Sequence, residues 1–384
     1  MRIGIEAQRI LRTKKHGMDM VALQLIRSLQ KIAPENEYVI FVRPGDDASV
    51  LSSLLSVEVV YVRGITYADW EQVWLPIAIL KQRIDVMHFT SNTASLFCPV
   101  PYVLTLHDII FLENGKKSKS WYQKLGNVYR QWVCPLAIKR AEKVVTVSIF
   151  ESGQILNRFP EMERKLRVIY NAAAEKFSPA SQKTTSKKFN HLPDRFLLFL
   201  GNTDPKKNTD NVIRAYAHYR NQLNGTLPLV IGDYPRKLVE KILVKNGDGY
   251  LLEDIISLGY IRQFDLAALY RKATGFLYPS VRESFGIPIL EAMASHCPVI
   301  TSHTSSMPEV AEDAAVLINP SQAEELANAM LKIEIDKVFR NELIAKGDER
   351  VRDFSWNKSA KQYAQLYDEL FTYKMLNKLS IQNL

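Results

Sequence analysis

The chain has 384 residues, 47% of them hydrophobic and 24% charged, with a formal net charge of +9. That composition excludes a disordered, collagen-like or low-complexity main state, and the length suggests two domains. No apolar run approaches the roughly 18–20 residues that a membrane-spanning helix needs.

The first half of the chain carries the basic excess, with 24 Lys and Arg against 17 Asp and Glu over residues 1–180. Such a surface suits nucleic acid, anionic lipid or a phosphorylated substrate, and no nucleic-acid-binding motif accompanies it. Arg2-Ile3-Gly4-Ile5 reads as a strand rather than a leader, which places the chain in the cytoplasm. Cys98, Cys134 and Cys297 are odd in number and lack CxxC or Cys/His spacing, so reduced structural thiols are expected.

Short β-branched or aromatic runs at 2–6, 38–42, 57–62, 85–89, 102–106 and 144–147 alternate with segments of helical period, the pattern of a parallel sheet wrapped by helices. After Val168-Ile169-Tyr170, residues 178–188 lose all apolar periodicity and read as a linker. A second alternating series follows at 195–200, 227–231, 255–258, 275–278, 298–301 and 315–318. The remainder reads as helix, with a break at Ser355-Trp356 before a last amphipathic segment over 360–376. The expected fold is α/β, with two Rossmann-like doubly wound domains at 1–178 and 191–354. A linker over 179–190 joins them, and a helical tail over 355–384 packs back across both. Ligands of open parallel sheets bind beyond the carboxyl ends of the strands, so the site is expected in a cleft between the two domains.

Two post-strand loops carry chemistry. In Glu283-Ser284-Phe285-Gly286-Ile287-Pro288, Pro288 suits a first helical turn, and the amides of Phe285, Gly286 and Ile287 then point outward where a phosphate is favoured. Glu291, one turn on, can accept from vicinal hydroxyls, and Glu283 can reach a second polyol. The segment from Gly201 and Asn202 to Lys207 and Asn208, ahead of a helix at 209–220, combines a glycine for close approach with a cation for a phosphate.

Together these loops resemble the E-x7-E and G-x-x-x-x-x-K-N motifs of family 4 retaining glycosyltransferases, which have the GT-B fold. Leu106-His107-Asp108, Val147-Ser148, Ile169-Tyr170-Asn171 and Met307-Pro308-Glu309-Val310 are similar to further family segments. The resemblance implies Lys207 on the donor pyrophosphate, Phe285 and Gly286 amides around it, Glu291 on the ribose, Glu283 on the transferred sugar and His107 approaching that sugar. Gly17 would take the place of the family's glycine loop, and Tyr260 and Ile261 would line the base pocket. Ser284 and Ile287 complete the donor-binding set. Asn202 stands where many relatives carry Arg, with Arg282 or Lys206 as candidate substitutes.

The implied function is transfer of a hexose from a nucleotide diphosphate sugar, GDP-mannose or a UDP-hexose, to a glycan or lipid-linked glycan, as in bacterial envelope polysaccharide or lipopolysaccharide assembly. Neither cofactor nor metal is expected, because no DxD-type carboxylate pair presents itself. Alternatives are a nucleotide-sugar epimerase on the same architecture and a non-catalytic partner subunit that binds nucleotide sugar or glycan. Trp70, Trp74, Trp121 and Tyr122 are candidate acceptor contacts. The run Lys116-Lys117-Ser118-Lys119, with Lys124 and Arg130, is a candidate contact with the inner face of the membrane. Truncating Glu283 or Lys207 is expected to abolish transfer with little change in melting temperature.

Overall fold

A computed structural model describes residues 1–13, 15, 17–113, 121–178 and 187–382. The chain forms two compact units, one of Met1–Asn171 with Trp356–Leu384 and one of Ala172–Ser355.

The first unit is built on seven parallel strands: β1 (Arg2–Glu6), β2 (Glu37–Val42), β3 (Val57–Tyr61), β4 (Val86–Phe89), β5 (Tyr102–Thr105), β6 (Lys143–Thr146) and β7 (Leu166–Val168). β4 and β5 are buried at every position, so they read as continuous apolar runs, as strands covered on both faces do. Their order is β3-β2-β1-β4-β5-β6-β7. The chain starts at the sheet's middle, winds outward to β3 and returns beside β1 at β4. The direction of winding therefore reverses between β1 and β4, where adjacent post-strand loops diverge and leave a crevice. β7 falls outside the strand runs read from the sequence, and Ile169-Tyr170-Asn171, one of the segments similar to the family, lies just past it.

The second unit has six parallel strands: β8 (Leu197–Leu200), β9 (Leu229–Gly232), β10 (Ile255–Gly259), β11 (Gly275–Tyr278), β12 (Val299–Ser302) and β13 (Val316–Ile318). Their order, β10-β9-β8-β11-β12-β13, puts the reversal between β8 and β11. Helices Thr209–Asn221 and Ala323–Ile335 bury Val212, Tyr216, Leu326 and Met330 in this unit's core.

The boundary falls at Asn171, ahead of the expected 178, and most of the expected linker lies outside the described residues. Helix Trp356–Gln382 is no separate tail, because it completes the first unit. Tyr367 OH and Thr105 Oγ1 each lie 2.7 Å from a nitrogen of the buried His88, and Thr105 Oγ1 lies 2.9 Å from Tyr363 OH. Burial pushes the His88 pKa down to about 3, with His107 adding to the effect, so the ring is neutral. Lys374 donates to the Asp85 carbonyl and pairs with its carboxylate. Ser359 Oγ donates to Tyr170 O at 2.6 Å.

Candidate active site

The loops after β8 and β11, the two that carry the sequence motifs, lie side by side at the second unit's winding reversal. After β8, a methyl on Gly201 would sit 2.9 Å from Tyr234 Cβ, so only glycine fits the strand's exit. Asp204 then caps a short turn, Pro205–Lys207, by accepting from Lys206 N at 3.1 Å. Asn208 takes a left-handed conformation (φ 61°), which Asn tolerates, and its amide donates to Pro279 O at 3.1 Å and Pro320 O at 2.6 Å. Val281 N donates to Lys206 O at 2.8 Å, so the two loops are stitched backbone to backbone.

The loop after β11 is braced by serines at and just beyond the end of β12. Ser302 donates to Ser280 O at 2.6 Å. Ser305 donates to Glu283 O at 2.6 Å and accepts from Glu283 N at 3.1 Å. The fully buried Ser306 hydroxyl lies between the carbonyls of Glu283 (2.9 Å) and Phe285 (3.0 Å). Gly286, at φ 105°, turns the chain into helix Ile287–Met293 with Pro288 in its first turn. A seven-residue helix supplies little macrodipole, so any anion binding there rests on local amides.

This scaffold brings Lys207 and Glu283 together. Lys207 Nζ lies 2.8 Å from Glu283 Oε1, an approach off the hydrogen-bond axis, and donates to Tyr278 OH at 3.0 Å. Its ammonium also sits 4.6 Å from the Tyr278 ring centroid. Glu283 is 8% exposed. Burial alone would raise its pKa, but the Lys207 and Lys206 charges outweigh burial and hold the carboxyl below its ordinary range. Such a pair does not survive truncation of one partner without cost, which corrects the expectation of an unchanged melt. Glu291 is buried one turn into the helix, where Tyr270 OH donates to it at 3.4 Å and burial pushes its pKa up.

The other donor-side residues divide. Asn202 is exposed, and its side-chain oxygen accepts from Asp204 N at 2.8 Å. That bond gives its carbonyl a turn-closing task in place of the family's cation. Ser284 and Ile287 are half-buried, and the Phe285 ring packs edge-on against Phe354. Beyond β10, Tyr260 is 48% exposed while Ile261 is buried, its N–H donating to Asp233 Oδ1 at 3.1 Å.

In the first unit, His107 is buried after β5. Its N–H donates to Asn92 Oδ1 at 2.6 Å, and Nε2 lies 2.9 Å from Thr90 O. A carbonyl partner makes Nε2 the protonated nitrogen, and burial lowers the ring's pKa, so the imidazole is neutral. Gly17 opens helix Gly17–Ile32, and a methyl there would meet nothing within 4 Å. Trp70 is fully buried, its indole donating to Val62 O at 3.1 Å, whereas Trp74 is 47% exposed. Lys116, Lys117, Ser118 and Lys119, with the side chains of Trp121, Tyr122 and Lys124, lie outside the described residues. Among the described residues, no group of three or more His, Cys, Asp or Glu could hold a metal, and no helix is long and apolar enough to cross a membrane.

Residues 16–174 match the family model described as Glycosyltransferase Family 4, and residues 181–350 the model described as Glycosyl transferases group 1. The chain belongs to the family 4 glycosyltransferases. O-antigen chain mannosyltransferase B of Escherichia coli is 28% identical over 235 residues, a match covering 60% of this chain and 61% of that one. Serotype-specific mannosyltransferase WbdA of Escherichia coli is 28% identical over 286 residues, 71% of this chain and 34% of that one. The chain thus spans between a third and about three fifths of these curated relatives. The structure of Anabaena Alr3699/HepE in complex with UDP superposes with a TM-score of 0.71 at 18% identity, covering 96% of this chain and 100% of that one. The fold is GT-B, as the motifs implied.

For a family 4 glycosyltransferase the sequence motifs located Lys207, Glu283 and Glu291 but missed what holds them. Tyr278, Ser305 and Ser306 went unassigned as supports. The run Ser302-His303-Thr304-Ser305-Ser306 directly after an apolar strand was the available signal, since four hydroxyls there exceed what solvation of a turn requires.

Proposed function

We propose that this family 4 glycosyltransferase moves a hexose, mannose from GDP-mannose or another hexose from a UDP sugar, onto a hydroxyl of a glycan or lipid-linked glycan in bacterial envelope polysaccharide synthesis. The observation that carries the proposal is the Lys207–Glu283 pair, 2.8 Å apart and clamped at the winding reversal of the second unit. The names of the mannosyltransferase relatives support mannose, and the UDP complex of HepE keeps uridine donors in view.

Cleaving the bond between sugar and diphosphate builds negative charge on the leaving oxygen. A cation already fixed beside it lowers that barrier without reorganising. Lys207 supplies the charge, with the amides of Phe285 and Gly286 on the diphosphate. Glu283, held ionised by Lys207, accepts from hydroxyls of the transferred sugar, and Glu291 from the ribose. Ser284 and Ile287 flank the diphosphate, Tyr260 and Ile261 border the base, and Asn202 shapes the turn below Lys207. His107, neutral and fixed through Nε2, orients the sugar. Attack comes on the face the diphosphate leaves, with retention and without a metal, the leaving phosphate taking the acceptor's proton. The reaction belongs in the cytoplasm, with peripheral contact at the inner membrane face.

The test is incubation of the full chain with GDP-mannose or UDP-hexoses and a lipid-linked glycan, with and without EDTA. Product mass and anomeric coupling are read by mass spectrometry and NMR. Transfer with retention, insensitive to EDTA and reduced at least ~100-fold in Glu283→Gln, is expected. Undiminished transfer in that variant overturns the site. Conversion of donor alone, without acceptor, replaces transfer with epimerisation.

A further inference from the structure

The first unit holds a cleft of about 480 Å³ at its own winding reversal, bordered by Gln8, Arg9 and Arg12 after β1 and by Asn92 after β4. Arg43 and Arg130 complete its charged lining, and none of its described lining residues is acidic. Among the described residues, no carboxylate forms an ion pair with any of these four arginines. Arg9 stacks over the Tyr67 ring at 5.4 Å and its buried Nε has no hydrogen-bond partner.

Gln8 is the more telling residue. It is 4% exposed, yet both Nε2 and Oε1 lack a partner. A buried amide left with donor and acceptor unmet is uncommon, because each loses its water on folding and gains nothing in return. One that borders a cleft is matched to a ligand offering both a donor and an acceptor, such as a sugar hydroxyl.

The wall beneath is rigid. Glu71 sits in a single π turn, Trp70–Trp74, a local widening of the helix often found at functional sites. Its carboxyl accepts from Tyr67 OH (3.1 Å), Thr93 Oγ1 (2.7 Å), Tyr129 OH (2.5 Å) and Gln72 Nε2 (3.0 Å). Tyr67, Thr93 and Tyr129, which border the cleft, are thus fixed from behind and turn their remaining surface toward it.

We propose that this cleft is the acceptor subsite and selects an acceptor glycan carrying a small oxyanion, a phosphate or a uronic carboxylate, with the arginines on the anion and Gln8 on a neighbouring hydroxyl. The proposal rests on the transferase reading and deepens it, naming the acceptor's chemical class. Guanidinium forks match both oxyanions bidentately, and the cleft's excess of positive charge favours an anionic sugar over a neutral one. Arg43 and Arg130 are already anchored, Arg43 Nη2 donating to Ile65 O at 2.9 Å and Arg130 to Gly126 O at 3.2 Å and Asn127 Oδ1 at 2.8 Å, with the Asp108 charge acting on Arg130, so Arg9 and Arg12 carry most of the selection.

Calorimetric titration of the full chain with mannose 6-phosphate, glucuronate and methyl mannoside tests it, with GDP and UDP titrated into the same preparations. Saturable binding of one or both anionic probes is expected, at least ~10-fold tighter than methyl mannoside. The two anionic arms tell phosphate from carboxylate. Arg9→Gln and Arg12→Gln should each weaken the anionic probe at least ~10-fold while leaving nucleotide affinity within about twofold, which also certifies the fold. Equal binding of the neutral glycoside, wild-type affinity in both variants, or displacement of the probe by nucleoside diphosphate overturns the proposal. Nucleotide binding without probe binding refutes the acceptor class alone. Probe binding without any nucleotide binding refutes the transferase reading and leaves the anion site standing.

Discussion

Replacing Lys207 by Met removes the cation beside Glu283 and keeps the side chain's bulk. At 2.8 Å and an effective dielectric near 20, the Coulomb attraction is about 6 kcal/mol. Part of that offsets the desolvation of both groups, and the two side chains retain 18% and 11% of their exposure. The net cost of stranding Glu283 is therefore about 3 kcal/mol, at the lower end for a buried pair. The sign with pH follows from burial and charge. In the intact protein the Glu283 pKa lies below its unfolded value, so its stabilisation is present above that value and lost as pH falls through the folded pKa. In Lys207→Met burial dominates, the folded pKa rises, and stability is instead lost as pH rises. The two proteins should melt nearly together near pH 4 and diverge by about 6–12 °C near pH 7.5 for a unit of this size. Glu283→Gln added to Lys207→Met should recover most of the loss, since no buried charge is then left unpaired. Melts by circular dichroism at both pH values, without nucleotide, decide it. A deficit below about 2 °C at pH 7.5, or one independent of pH, refutes the reasoning.

Ser306→Ala deletes the hydroxyl between the Glu283 and Phe285 carbonyls and should cost about 1–2 kcal/mol, with nucleotide affinity, read by titration, falling several-fold. Gly286→Ala forces a side chain into φ 105° with its methyl 3.0 Å from Ile289 Cδ1, an expected loss of about 1–3 kcal/mol in urea unfolding together with most of the transfer activity. Tyr367→Phe takes the hydroxyl from buried His88 Nδ1 and should destabilise the first unit by about 1–3 kcal/mol, leaving the second unit's transition in calorimetry unmoved. Burial raises the Glu71 pKa to about 7, so the folded state holds a proton that the unfolded state has released. Stability should therefore fall by about 3 kcal/mol between pH 4.5 and 7, and Glu71→Gln should flatten that slope in denaturant titrations.

The parts of this protein that announce themselves in sequence are those where one short segment carries the whole constraint. All twelve expected strand positions are occupied, most plainly where a strand is buried on both faces and must be apolar or nearly so throughout, as in β4, β5, β9, β11 and β12, whereas β7, with Arg167 exposed and three residues in all, carries too little pattern to be placed to the residue. Lys207 and Glu283 were legible because each lies in a loop of fixed length between strand and helix. Their partnership was not, since it depends on β8 and β11 being neighbours, a fact of winding order that no local pattern contains. The same reason hid the first unit's cleft. Gln8, Glu71, Asn92 and Tyr129 come from four separate segments, and Trp70-Glu71-Gln72-Val73-Trp74 reads as an ordinary amphipathic turn until the π geometry swings Glu71 inward among three hydroxyls. Composition misplaced the boundary as well. The polar stretch after 178 looked like a linker, while the division depends on which sheet each segment packs against, and the chain enters the second unit at Ala172. The helix from Trp356 likewise joins the first unit because Tyr363, Tyr367 and Lys374 find His88, Thr105 and Asp85, partners more than 250 residues away in sequence. Contacts at that separation cost the most chain entropy to close, so the bonds that secure them must be strong and buried. The His88 cluster meets that condition through two hydroxyl contacts on a fully buried ring.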